Sequence, residues 1–169
     1  MYSRTFADMT SSKSILIKEL SNYATAATRR LREQGSLCGS VTVFLATNRH
    51  RLDLAQYTAD DTIRLSTPTD DTTIIIQVVK QILEKIFRER YHYKQAGVIL
   101  GKLQSAEGAQ LDLFASNQVE ETARQKRLMR AIDTINGRFG KNQIHFAIQG
   151  LENDTEDVPA GFMRPHNIE

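Results

Sequence analysis

One cysteine, Cys38, stands in 169 residues, so no disulfide can form within the chain. Its expected place is that of a small buried apolar side chain, and such cysteine usage suits an intracellular protein. The opening residues, Met1-Tyr2-Ser3-Arg4-Thr5-Phe6, hold no apolar run that could act as a secretion signal. No stretch reaches the length of a membrane span, so a cytoplasmic protein without membrane contact is expected. Asn153-Asp154-Thr155 fits the glycosylation pattern but has no meaning without secretion. No internal repeat is present.

Catalytic signatures are missing as well. His50, His92, His145 and His166 have no partners at zinc-ligand spacing. The only adjacent aspartates are Asp60-Asp61 and Asp70-Asp71, and neighbours in a strand or helix cap diverge, whereas two-metal chemistry needs carboxylates that converge. Gly137-Arg138-Phe139-Gly140-Lys141 lacks the full phosphate-loop pattern and reads as a helix-to-strand connection. No nucleophile-base pair is visible. The residues therefore give no catalytic site, no metal site and no cofactor.

What is present is an ordinary globular mix, 40% hydrophobic and 25% charged. The net charge of +2 hides an asymmetry. Residues 1–103 hold 15 Lys and Arg against 10 Asp and Glu, and residues 104–169 hold 7 against 10. A basic first part suits a polyanionic partner.

Residues 2–8 read as a strand. Ser11 or Ser12 caps a helix to about Gln34, with Leu16, Leu20, Tyr23, Ala24, Ala27 and Leu31 on one face and Gly35 as a left-handed stop. Val41 to Thr47 is a β-branched strand, Asn48 to Asp60 a connection, and Thr62 to Ser66 an alternating strand with Ile63 and Leu65 turned inward. Asp70 and Asp71 open a second helix to about Arg90, with Ile75, Val79, Ile82 and Ile86 as its buried stripe. Ala96 to Leu100 is a fourth strand. Residues 104–119 form a connector. Glu120 to Asn136 is a third helix with Leu128, Ala131, Ile132 and Ile135 apolar and Gly137 as its stop, followed by a strand at Ile144 to Ile148. From Leu151 the chain is acidic and turn-rich, and poor order is expected.

The fold class is thus α+β, a four-stranded antiparallel or mixed sheet with two helices on one face in the order β-α-β-β-α-β, plus a small helix-strand extension. The expected parts are a sheet domain (1–104), a linker (105–119), the extension (120–150) and an acidic tail (151–169). One sheet face is left open, with Thr62, Arg64, Ser66 and Arg4 as its candidates. Such a face is either a binding surface or simply solvated. Sheets of this kind also serve small-molecule regulatory modules and RNA-binding domains, although RNA binding wants stacked sheet aromatics and only Phe44 is well placed. A pure interaction scaffold is the third reading.

Gln110-Leu111-Asp112-Leu113-Phe114 is physically odd in a polar connector. Leu113 and Phe114 can fill one pocket as a paired plug, with Gln110 offering a donor and an acceptor at its rim. The alternative is that Leu111, Leu113 and Phe114 fold back as an edge strand. The pattern resembles the pentapeptide by which bacterial polymerases and repair proteins dock on the DNA sliding clamp.

Other blocks then resemble one family. Ser3-Arg4-Thr5-Phe6, Val43 to Thr47, Ile63 to Asp70 and Tyr93 to Val98 are similar to successive blocks of the little-finger domain in the UmuC-like branch of the Y-family DNA polymerases. Leu128-Met129, Ile132 to Asn136 and Ile144 to Ala147 look like that branch's C-terminal extension. The resemblance spans about residues 2–150. It implies a piece of a translesion polymerase of the SOS response, a catalytic subunit of the DNA polymerase V type, chromosomal or plasmid-borne. Palm, fingers and thumb with their catalytic carboxylates are absent, as is the family's final block. A non-catalytic C-terminal fragment, with Met1 artificial, is therefore expected. The resemblance further implies DNA backbone contacts from Ser3, Arg4, Thr5, Thr47, Thr62, Arg64, Ser66, Lys94 and Gln95. The implied partners are primer-template DNA, the sliding clamp, the processed UmuD dimer and RecA.

Overall fold

The computed structural model describes residues 1–106, 116–140 and 143–150, with backbone alone for Arg4, Ala7 and 116–122. The elements are β1 (Tyr2–Thr10), α1 (Lys13–Glu33), β2 (Ser36–Thr47), β3 (Thr58–Thr69), α2 (Thr72–Ile86), β4 (Tyr93–Gly101), β5 (Gln104–Ser105), α3 (Ser116–Phe139) and a 3-10 turn at Ala147–Gln149. The β-α-β-β-α-β order expected from the sequence is present. The strands lie in the order β1-β4-β2-β3, and every pairing is antiparallel. β5 adds two residues against Ser36 and Leu37 of β2.

Local chemistry sets the helix ends. The Ser12 hydroxyl accepts from the Ile15 amide at 3.5 Å, and Gly35, at φ +61°, turns the chain out of α1. Asp71 accepts from the Thr73 amide at 2.7 Å and starts α2. Arg90 was the expected end of α2, but the helix stops at Ile86. The reason is Tyr93. Its buried hydroxyl takes a hydrogen bond from the Arg88 amide (2.8 Å) and gives one to the Arg88 carbonyl (3.0 Å), which holds that residue in a turn.

The core lies between the helices and one sheet face. Leu16, Leu20, Ala24 and Leu31 of α1 meet Ile75, Val79, Ile82 and Ile86 of α2 above Val41, Val43, Leu45, Ala96 and Val98. Cys38 is buried as expected and donates to the Thr69 carbonyl; burial pushes its thiol up to about 11. Pro68 fits in β3 because that strand is a sheet edge.

The C-terminal part departs from expectation. The helix expected at 120–136 runs from Ser116 to Phe139, with Gly137 inside it and Gly140, at φ +114°, beyond its end. Part of the expected connector is therefore β5 and the start of α3. The strand expected at Ile144 to Ile148 does not form. The Asn136 side chain bonds both the Ile144 amide and its carbonyl at 2.8 Å, which uses up a would-be ladder position. The Gln149 side chain accepts from the Phe146 amide (2.8 Å) and donates to Asn22 of α1 (2.9 Å), so the chain closes into the 3-10 turn.

Arg32 joins α3 to the rest. Its guanidinium makes a two-toothed pair with Asp133, Nε to Oδ2 at 2.6 Å and Nη2 to Oδ1 at 2.9 Å. Its Nη1 donates to the Asp70 carbonyl (2.7 Å) and to the Thr72 hydroxyl (3.0 Å), which also bonds Thr28 at 2.8 Å. The side chain is only 11% exposed. Lysine cannot supply this fork. Arg32→Lys should cost about 1–2 kcal/mol in urea unfolding and speed hydrogen exchange in α3 around Asp133. Exchange unchanged in α3 would mean that the pair does not hold the helix. Tyr93→Phe should cost about 1–2 kcal/mol by the same measurement, through the two bonds lost to Arg88.

Candidate nucleic-acid interface

Directly opposed residues of an antiparallel ladder share a face, so the register defines the open side. Val41, Val43 and Leu45 turn to the helices, and the residues between them turn away. Four rows result on the uncovered side: Thr5, Gln95, Ala46 and Thr58; Ser3, Gly97, Phe44 and Asp60; Ile99, Thr42 and Thr62; and Gly101, Ser40 and Arg64. Thr42 and Thr62 share a hydroxyl hydrogen bond of 2.8 Å. The face is thus rich in hydroxyls and poor in net charge, since Arg64 is offset by Asp60.

Of the sequence candidates, Ser3, Thr5, Thr62, Arg64 and Gln95 meet on this face. Ser66 is exposed one alternation beyond Arg64. Lys94 is the extra residue of a β-bulge: Ala46 and Thr47 are neighbours, yet they pair with Gln95 and Tyr93. That extra residue lets Tyr93 enter the core while Gln95, two positions on, stays on the open face. Thr47 does not join them. It is buried, and its hydroxyl donates to Gln56 and accepts from the Tyr57 amide, each at 3.0 Å. Arg4 stands opposite Ala96 in the register. The pentapeptide Gln110, Leu111, Asp112, Leu113 and Phe114 lies outside the described residues.

The sequence reading missed Thr42, Thr58, Asp60 and Ile99. Alternation counted from Val41, Val43 and Leu45 was the signal that could have found them. Phe44 has a role of its own. A Cβ on Gly97 would stand 2.5 Å from the Phe44 ring and 2.6 Å from Ser3 Cβ. The ring therefore lies over bare backbone, which only glycine permits.

At the far end of the sheet, Gln56 organises the β2–β3 loop. Its amide donates to the carbonyls of Asn48, Arg51 and Leu54 at 3.1, 2.8 and 3.1 Å. Tyr57 and Tyr91 stack at 4.5 Å, with Arg90 over Tyr91 at 5.0 Å. The Asp53 carboxyl is lowered to about 2 by its hydrogen bonds from Arg51. Among the described residues no group of three or more His, Cys, Asp or Glu side chains could hold a metal. Asp61 accepts from Lys85 at 3.3 Å, and Asp71 is spent on its helix cap.

The model described as the impB/mucB/samB family C-terminal domain matches residues 1–113. The chain belongs to that family. A second model, a domain of unknown function, matches residues 126–155. Similar impB/mucB/samB relatives include MucB of Salmonella typhimurium, 35% identical over 151 residues. UmuC of Salmonella typhimurium strain LT2 is 32% identical over 149 residues, and MucB of Escherichia coli 36% over 151. These matches cover 88–89% of this chain, which spans about a third (35%) of each relative. Among solved structures, the insertion ternary complex of Dbh DNA polymerase is 12% identical with a TM-score of 0.41, covering 62% of this chain and 28% of the other. The complex of the β-clamp processivity factor and the PolIV little finger is 17% identical with a TM-score of 0.40, covering 67% and 96%.

The contact at Gly97 gives a test of the face. Gly97→Ala should destabilise the fold by about 1–3 kcal/mol through overpacking. Adding Phe44→Ala should recover part of that loss in urea unfolding. Strict additivity of the two changes would show that the ring does not lie over Gly97.

Proposed function

We propose that this chain is the DNA-gripping and clamp-tethering region of an error-prone translesion DNA polymerase of the SOS response, a non-catalytic part of a cytoplasmic bacterial enzyme. The observation that carries the reading is the open, hydroxyl-lined sheet face in a chain of the impB/mucB/samB family. Hydroxyls, an amide and one arginine are groups that meet phosphate and sugar oxygens without reading bases. Such a grip suits an enzyme that must pass over damaged template of any sequence. The RNA-binding alternative gains nothing from this face, because Phe44 is the only aromatic ring in its described rows and is packed over Gly97.

Gln110 to Phe114 is read as the clamp tether on its sequence alone. It would keep the grip near the primer end by raising its local concentration. The extension from α3 onward is the candidate contact for the processed UmuD dimer or the RecA filament.

Two measurements test this reading. Binding to a primer-template duplex should be independent of sequence and should weaken as salt rises. Leu113→Ala with Phe114→Ala should reduce clamp affinity by about 30-fold or more, since losing even one such anchor removes roughly 2 kcal/mol, and should leave DNA affinity unchanged. Clamp binding at the wild-type level in that double variant would sink the tether. A parallel loss of DNA binding would instead assign both side chains to the core.

A further inference from the structure

The last third of the chain is acidic as a whole, yet α3 is not. It carries Arg124, Lys126, Arg127, Arg130 and Arg138 against Glu120, Glu121 and Asp133, and from residue 123 onward Asp133 is its single acid. Asp133 is committed to Arg32. All five cations are exposed. No ion pair among the described residues engages any of them. At 3.6 residues per turn, Lys126, Arg127, Arg130 and Arg138 fall within an arc of roughly 120°, with Arg124 about 40° beyond it. Met129, buried at 2% exposure, lies outside that arc.

This is not how a merely solvated helix face is built. Such faces mix both signs and gain from opposite charges three or four residues apart. Here Arg124 and Arg127, Arg127 and Arg130, and Lys126 and Arg130 are like-charge pairs at those spacings, and each works against the helix. An anion laid along these residues relieves that repulsion. Arg124, Arg127 and Arg130 recur every three residues, a rise of about 4.5 Å, with Lys126 about one turn before Arg130 and Arg138 about two turns beyond it. That makes a row, which fits an anion with regularly repeated charge better than a single carboxylate.

We propose that this face of α3 binds the phosphodiester backbone of DNA as a second contact, separate from the open sheet. The inference rests on the DNA-binding function proposed above. α3 is anchored to the helix layer through Arg32. The contact carries no sequence preference, because arginine and lysine on phosphate read charge and spacing alone.

The test uses the full chain and a fluorescein-labelled primer-template duplex, with anisotropy measured across a salt series. Lys126→Ala, Arg127→Ala and Arg130→Ala together keep good helix formers. They should weaken binding at least tenfold near 0.1 M salt and lower the slope of log affinity against log salt by about 2.7, at 0.9 for each phosphate contact. Arg127→Lys with Arg130→Lys should retain most of the affinity, and a loss as large as that of the alanine variant would assign the effect to the fold and overturn the inference. A triple variant with wild-type affinity and slope overturns the inference and leaves the sheet as the grip. Polyglutamate held as tightly as DNA, through the same three residues, would mean an acidic protein surface and also overturns it. A wild-type chain that ignores DNA overturns the proposed function itself.

Discussion

Val41, Val43 and Leu45 point from β2 into Leu16, Leu20, Ile75, Val79 and Ile82, and this one-sided burial is the constraint on which the rest depends. Each such side chain contributes about 1.5–3 kcal/mol by leaving water. Because strand alternation has a period of two, fixing these residues inward fixes Thr42, Phe44 and their row partners outward. A slip of one residue would bury Thr42 and Arg64 and expose the valines, so the register of the open face is held by the core behind it. The open face is a consequence of packing on the other side of the same strands.

The face is then refined by two local devices. The bulge at Lys94 inserts one residue, so that Tyr93 can serve the core while Gln95 serves the surface. Without it, the two would point the same way. Gly97 removes a side chain from the middle of β4 and lets the Phe44 ring settle there. Both devices work on β4, which lies between β1 and β2. An irregularity in an inner strand re-aims residues without opening a ladder edge to other chains.

Much of this was legible in the sequence because single residues had single reasons. Ser12, Gly35 and Asp71 mark helix ends through side-chain or backbone chemistry that needs no distant partner. The buried stripes of α1 and α2 and the alternation of Ile63 and Leu65 follow from period alone. The misreadings fall where distant contacts decide. Ile144 to Ile148 has strand composition, but Asn136 takes up Ile144, and Gln149, held by Asn22, takes the Phe146 amide and imposes a turn. The end of α2 is set by Tyr93, several residues downstream. Thr47 looked like a surface threonine of a strand end, and its loop partners Gln56 and Tyr57 draw it in. The basic row on α3 was hidden for another reason: charge summed over the whole last third cancels it against the acids beyond residue 150.

The Arg32 fork gives these surfaces a common frame. It bridges from α1 within the segment matched to the family's C-terminal domain to Asp133 within the separately matched segment. A lone ion pair on a surface would do little, because side-chain entropy and solvent offset its attraction. This one is mostly buried and planar, and its remaining donors are used on Asp70 and Thr72. Its geometry is therefore narrow. One side chain of α1 thus reaches Asp133 of α3, the Asp70 carbonyl ahead of α2 and the Thr72 hydroxyl within it. A change at this single residue is felt in three elements at once, which an exposed pair between two flexible side chains could not bring about.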